Sequence, residues 1–368
     1  MNVNLDSIDR TQFYVNEHVL NGELVYLVQS RNIGIKWTKE TKVFRSSVWT
    51  ATGELISAGF PKFTNWGEAP DVFPLPTTLT GATVMEKIDG SLLIVSKWKG
   101  EYILRTRGTV DATKLDNGHE LQIFKETILP RLIKSRGKDG EKDTWEFSYL
   151  FEWTSPLQKI ILTYGEQPDW YLVGLVYHED YSLFSQLFLE KLAKDIGVKR
   201  PLVYTFDTIE DLLANVEKWH GREGVCIYSN KDQSIHKSKS MWYLALHHMK
   251  SEFNTFEKIV DFWFHNNQPE YIAFKDIIIA VDFEIWNQCQ GDVSKMFDGM
   301  KEVTKIVDHM KKFVKEELSK YPTRKLQAAV TFQSYGKNSN RSNFVFKLLD
   351  GRELDSEDYK KLLFQVTK

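Results

Sequence analysis

Two kinds of hydrophobic spacing divide this chain. Up to about residue 243, apolar residues come in strand-like runs with helical stretches between them, and from about 244 onward they recur mostly at helical steps. Trp145, Phe147, Tyr149, Phe151 and Trp153 alternate with Glu146, Ser148, Leu150 and Glu152, which predicts a strand with Glu152 turned away from the aromatic face. The largely apolar run Trp170–Tyr177 predicts a buried central strand. Val84–Trp98 and Glu101–Arg107 are β-rich runs joined at Lys97-Trp98-Lys99-Gly100, which predicts an antiparallel hairpin just after residues 87–91. Further on, Val293, Met296, Phe297, Met300, Val303, Ile306, Val307, Met310, Phe313 and Val314 predict one long amphipathic helix ending near Pro322, with its methionines in the core. The fold class is therefore α+β, with one domain over residues 1–243 and an all-helical one over 244–368.

Composition narrows the class without naming a function. The chain has 368 residues, long enough for two ordinary domains, and its 42% hydrophobic content is that of a folded soluble protein. Lysine and arginine (48) balance aspartate and glutamate (50), so a nucleic-acid partner would need a local basic patch. The polar start MNVNLDSIDR is no signal peptide, and no run reaches the length of a membrane span, so the expected location is the cytoplasm. Cys226 and Cys289 have no Cys-x-x-Cys partners, which removes a zinc site and a disulfide framework. Neither Gly-x-Gly-x-x-Gly nor Gly-x-x-x-x-Gly-Lys is present, so any ATP site is of another kind.

The candidate chemistry starts at Lys87-Ile88-Asp89-Gly90-Ser91. Alone it reads as a turn between strands, just as Glu-Gly reads as a turn and Lys-x-Lys as a solvated strand. The order is what carries meaning: Lys87, then Glu152 at the end of the aromatic strand, then Glu223-Gly224, then Lys237-Ser238-Lys239. A lysine attacks phosphorus only as the neutral amine, yet its ordinary pKa is about 10.4. On a strand, Lys237 and Lys239 share one face, where they would hold a phosphate and lower the pKa of Lys87 by repulsion. Attack on the α-phosphate of ATP would give a lysine–AMP adduct and pyrophosphate. Magnesium, with manganese as an alternative, would be held mainly by phosphate oxygens, with Glu152 and Glu223 as the acids beside it or on the ribose.

These residues resemble the covalent nucleotidyltransferase superfamily of ATP-dependent ligases and capping enzymes, and within it the phage RNA ligase 1 family, from about Arg45 to Lys250. Lys87-Ile88-Asp89-Gly90-Ser91 resembles the adenylated-lysine motif, with Asp89 and Gly90 beside the nucleotide. Phe151-Glu152-Trp153-Thr154-Ser155-Pro156 is similar to the third motif, whose glutamate contacts the nucleoside. Glu223-Gly224-Val225 resembles the fourth motif, and Lys237-Ser238-Lys239-Ser240-Met241-Trp242-Tyr243 the fifth. Arg45 and Lys62 resemble basic residues that contact ATP phosphates, and Arg105-Thr106-Arg107-Gly108-Thr109 the basic hairpin that follows the lysine, placing Arg107 at the nucleotide. Tyr243 is carried over to the nucleotide site on the same ground, and Glu270 to the position of an acidic metal ligand early in the helical domain. The segment from Tyr26 to Val43 does not align with the family, which leaves the family's nucleotide-binding tyrosine unassigned.

What the resemblance implies is a nucleotidyltransferase domain of antiparallel sheets and helices, ATP-grasp-like, with a helical domain that sets RNA choice. It implies ligation of RNA 5′-phosphate to 3′-hydroxyl ends at single-stranded RNA or broken tRNA, beside a polynucleotide kinase and, for a bacteriophage protein, in the host cytoplasm. A DNA ligase or GTP-using capping enzyme shares the lysine chemistry but generally continues into an OB-type barrel. A non-catalytic binding module would be expected to lose Lys87, Glu223 or a lysine of the last motif. For RNA itself, Lys97, Trp98, Lys99, Arg105 and Arg107 form an interleaved basic and aromatic cluster.

Overall fold

The computed structural model describes residues 1–31, 34–229, 231, 233–281, 283–337 and 339–368. The chain divides into two compact units, Met1–Ala245 and Leu246–Lys368. The first contains strands β1 (Phe13–Leu20), β2 (Glu23–Ser30), β3 (Ser46–Thr50), β4 (Leu55–Ala58), β5 (Thr64–Asn65), β6 (Ala82–Glu86), β7 (Ser91–Trp98), β8 (Glu101–Arg105), β9 (Phe147–Thr154), β10 (Asp169–Tyr177), β11 (Val203–Tyr204), β12 (Gly224–Ser229) and β13 (Ser234–Lys239). They form three sheets, in the orders β1-β2-β3-β4, β10-β9-β7-β8 and β11-β6-β12-β13-β5. Every pairing is antiparallel except that of β13 with the short β5. The α+β class expected from the pattern is the one observed.

The aromatic alternation does make a strand: Tyr149, Phe151 and Trp153 of β9 join Trp145 and Trp170 in a core closed by the helices Leu129–Ser135 and Gln186–Ile196. The hairpin expected just after residues 87–91 is formed by β7 and β8. The β-rich run from Val84 to Trp98 is divided between sheets, β6 pairing in the third and β7 in the second, so Lys87–Gly90 is a crossing between them. One expectation needs correction. The apolar run at β10 is an edge strand rather than a central one. Its burial comes from its two faces, Leu172 and Leu175 against the helix side, Val173 and Val176 against Phe60 and Met85, with a bulge between Leu172 and Gly174 that switches the alternation.

The basic and aromatic cluster proposed for RNA is also overturned, because most of it is inside. Arg105 is fully buried, and its guanidinium donates to Ser57 Oγ (2.7 Å), Ser46 Oγ (2.8 Å), Ser57 O (3.0 Å), Thr106 O (3.1 Å) and Ser46 O (3.2 Å). Lys97 and Trp98 are buried too. Arg105 is therefore a clamp between the first and second sheets, and a guanidinium can serve there because its five donors are all satisfied.

The second unit is helical: Phe256–His265, Tyr271–Val281, Phe283–Lys312, Arg324–Tyr335, Asn340–Leu349 and Ser356–Val366. Thr255, Thr323, Ser339 and Asp355 cap four of these helices with side-chain oxygens on backbone amides, each fixing where a helix starts. The long helix begins earlier than the spacing predicts and passes through the wider turn Phe313–Glu317 and the tight turn Leu318–Lys320 before Pro322. Met296, Val303, Val307 and Met310 are buried with Ile259, Phe274, Phe344 and Leu362, so the methionines are core residues as their spacing predicts.

Candidate active site

Lys87 stands where the chain leaves β6, and its backbone amide donates to Gly224 O at 2.8 Å, which ties the crossing to the start of β12. The glycines on both sides of this tie are required by space. A Cβ on Gly90 would lie 2.5 Å from Trp153 O, and one on Gly224, whose φ is +149°, would lie 2.0 Å from Ser238 O. Both close approaches bring a charged side chain into place: Glu152 beside Gly90, and Glu223 beside Gly224. Glu223 is buried and bridges two lysines, with Oε2 3.0 Å from Lys87 Nζ and Oε1 2.9 Å from Lys239 Nζ.

The strand register explains how the paired lysines reach the same place. Lys237 lies opposite Cys226 and Lys239 opposite Gly224, so both lie on one face of β13 and Ser238 lies on the other. A cavity of about 290 Å³ opens on that face. Arg45, Lys87, Arg107, Glu152, Lys237 and Lys239 line it, together with the apolar side chains of Phe60, Leu92 and Val173. Arg45 and Lys237 both lie over the Phe63 ring, 5.0 Å and 5.5 Å from its centroid. A second cavity of about 360 Å³ shares Arg45 and Arg107 and adds Arg31, Lys62, Trp37 and Glu68. Arg107 is held by Ser30 Oγ (2.9 Å), and its carbonyl accepts from Ser46 Oγ (3.0 Å), the same hydroxyl that Arg105 holds.

Asp89 and Tyr243, expected to face a nucleotide, are not among the residues that line the cavity, although the Tyr243 ring lies 4.8 Å from Lys239 Nζ. Asp89 is buried beneath the crossing, where Oδ1 accepts from the Tyr243 hydroxyl (2.6 Å) and Oδ2 from the amides of Ile161 and Leu162 (2.8 Å each). Its own amide donates to the Tyr164 hydroxyl at 2.8 Å. They fasten the lysine crossing, the 161–164 segment and the start of helix Met241–Glu252 together. Glu270 lies exposed in the second unit, one residue before the helix Tyr271–Val281. No group of three acidic, histidine or cysteine side chains suited to a metal occurs among the described residues.

The electrostatics correct one expectation and sharpen another. Lys87 is not depressed by its lysine neighbours. Burial pulls its pKa down, but the carboxylates of Glu223 and Glu152 outweigh burial and hold it above the usual lysine range. The repulsion falls on Lys237 instead, lowered to about 8 by burial and then by Arg45, Lys87, Lys239 and Lys62. Burial raises Glu152 to about 7, opposed by Lys87 and supported by Glu223. The resting site is thus a protonated lysine held by Glu223, with Glu152 nearby, and faced by a wall of cations. A divalent cation fits it only as an ion brought in on phosphate oxygens with one carboxylate, since both oxygens of Glu223 are engaged by lysines while Glu152 faces the cavity.

Arg31, Trp37 and Glu68 join the site without any motif to announce them, and Phe63 joins it beside Lys62 in Pro61-Lys62-Phe63. Phe63 and Glu68 flank β5, whose pairing with β13 brings that loop alongside Lys237. No local pattern encodes a two-residue parallel pairing.

The family comparison agrees with the resemblance. The RNA ligase family matches residues 37–265, more than half of the chain, and the chain belongs to that family. Over 197 residues it is 26% identical to a protein of Autographa californica nuclear polyhedrosis virus that carries the name bifunctional polynucleotide kinase/RNA ligase. That match takes in 51% of this chain and 27% of the viral protein, so the chain spans about a quarter of that relative's length. Among solved structures, an archaeal ATP-dependent RNA ligase is 14% identical with a TM-score of 0.46, over 79% of this chain and 76% of the other. A Naegleria gruberi RNA ligase with PPi is 14% identical with a TM-score of 0.42, over 60% and 65%. Family membership rests on the first of these findings. Among the described residues no helix is long and apolar enough to cross a membrane.

Proposed function

We propose that this chain is an ATP-dependent RNA ligase that joins RNA 5′-phosphate and 3′-hydroxyl ends through a covalent lysine–AMP on Lys87. The observation that carries the reading is the bridge of Glu223 between Lys87 and Lys239 at the floor of a cation-lined cavity. Family membership supports the reaction class, and the name of the viral relative supports a place beside RNA 5′-end phosphorylation.

In the first step the α-phosphate of ATP rests against Lys237 and Lys239, with the polyphosphate tail running past Arg45 and Arg107 into the second cavity. Lys239 turning to the phosphate loosens its hold on Glu223, which takes the proton from Lys87. The Lys87 Nζ–phosphorus bond forms as the bond from that phosphorus to the pyrophosphate oxygen breaks. The fixed cations stabilise charge on the phosphate oxygens without rearrangement. Magnesium or manganese, carried on the phosphates and held by Glu152, would neutralise further charge there. AMP then passes to the RNA 5′-phosphate, and the 3′-hydroxyl attacks that adenylated end to form the phosphodiester and release AMP.

The first unit would carry this chemistry and the helical second unit would select the RNA, single-stranded ends or broken tRNA in the cytoplasm. The test is a comparison of two substrates. Wild type should seal 5′-phosphorylated single-stranded RNA with ATP, whereas Lys87→Ala should fail with that RNA yet seal RNA that is already 5′-adenylated. Failure of Lys87→Ala on both substrates with its fold intact, or success on both, would contradict the assignment of Lys87.

A further inference from the structure

The second cavity holds one group that works against the ligand its other walls attract. Arg31, Arg45, Lys62 and Arg107 make it cationic, and Glu68 is the one carboxylate among its described lining residues. Glu68 Oε1 lies 3.5 Å from Lys62 Nζ. Its Oε2 accepts from the amide and the side-chain Nδ2 of Asn65, at 3.0 and 3.1 Å. One oxygen is therefore moored to a turn, which is closed by the Glu68 amide on Asn65 O at 3.0 Å, and the other is presented to a lysine of the cavity. The Glu68 side chain is 43% exposed and that of Lys62 16%, so the acid approaches the cation from the solvent side, where a phosphate would also approach.

We propose that Glu68 is a built-in counterion that stands in for the polyphosphate tail when the cavity is empty and competes with it when it is full. The proposal rests on the reading of this cavity as the polyphosphate site. Four cations with no anion among them repel one another, and Glu68 offsets part of that repulsion in the ligand-free protein. An entering tail takes over the contact with Lys62 and meets a fixed negative charge beside it. The result is weaker ground-state binding of the tail and faster loss of pyrophosphate once it is cut free, which favours the forward direction of lysine adenylation. A carboxylate that ligated the metal of a metal–polyphosphate complex would have the opposite effect, so the sign of one substitution separates the two roles.

The substitution is Glu68→Gln, whose amide oxygen can still accept from the Asn65 amide and keep the turn. The probe is inorganic pyrophosphate, titrated into wild type and variant by calorimetry, once with EDTA and once with magnesium. Glu68→Gln should bind pyrophosphate about fivefold more tightly in both conditions, the size expected for one partly exposed ion pair. Glu68→Asp, which keeps the charge, should stay close to wild type. Unchanged binding in Glu68→Gln would overturn the counterion role, and binding weakened only with magnesium would overturn it in favour of metal ligation. If wild type takes up no pyrophosphate in either condition, the polyphosphate reading of the cavity fails and this inference fails with it.

Discussion

Lys87 Nζ and Glu223 Oε2 lie 3.0 Å apart, and the same carboxylate holds Lys239 through its other oxygen. A single buried acid therefore pairs with two cations, and removing it leaves both without that partner. Glu223→Ala should cost about 3 kcal/mol of stability, the scale for breaking a buried ion pair from one side. Glu223→Gln keeps the shape but cannot take the Lys87 proton, and its adenylation rate should fall at least about a hundredfold. Thermal melting and single-turnover adduct formation measure the two effects separately, and a Gln variant reacting at the wild-type rate would remove Glu223 from proton transfer.

Lys237 gives a pH dependence of definite sign. Its folded pKa of about 8 is below that of an unfolded lysine, so the ligand-free fold binds its proton less tightly and gains stability as pH rises from about 8 toward 10.5. A bound phosphate favours the cation and reverses this shift. Nucleotide binding should therefore take up a proton between about pH 8 and 9, visible as a buffer-dependent binding enthalpy. Lys237→Arg should abolish the uptake while retaining binding.

Glu152 titrates near neutrality, and its sign is opposite. With a folded pKa of about 7 against an ordinary 4.5, the ligand-free fold holds this proton more tightly than the unfolded chain does, so stability falls as pH rises from about 4.5 to 7. Glu152→Gln removes that penalty. Its melting temperature at pH 8 should exceed that of wild type while adenylation is lost; a lower melting temperature would show that the carboxylate is favourable as an anion.

The buried pair of Asp89 and Tyr243 predicts a graded series. Tyr243→Phe removes one hydrogen bond to a carboxylate and should cost about 1.5–3 kcal/mol. Asp89→Ala removes the acceptor for the Ile161 and Leu162 amides as well and should cost more. Equal losses in chemical denaturation would mean that the loop amides find other partners.

The site was legible where chemistry is carried by short motifs and illegible where it depends on sheets meeting. Lys87, Glu223, Lys237 and Lys239 could be collected because their order and the period-2 spacing of the last two are local facts. That the crossing Lys87–Gly90 separates two sheets was hidden, since residues 84–98 are β-rich on both sides of it and the separation lies in which distant strands each side pairs with, β12 for β6 and β9 for β7. Arg105 and Lys97 were misread because charge in a hairpin ordinarily means solvent, whereas the hydroxyls that satisfy Arg105 come from Ser46 and Ser57, some 50 residues away in sequence. The direction of the Lys87 shift was misjudged for a related reason: the sequence shows which cations converge, but not that Glu223 lies between them.

The most direct test of the account is the intact mass of the protein after incubation with magnesium and ATP, or with GTP, following a prior treatment with pyrophosphate to strip any nucleotide carried from the cell, with peptide mapping of the adduct. The account predicts one AMP, from ATP alone, on Lys87. No adduct on the stripped protein, or an adduct on any other residue, would contradict it.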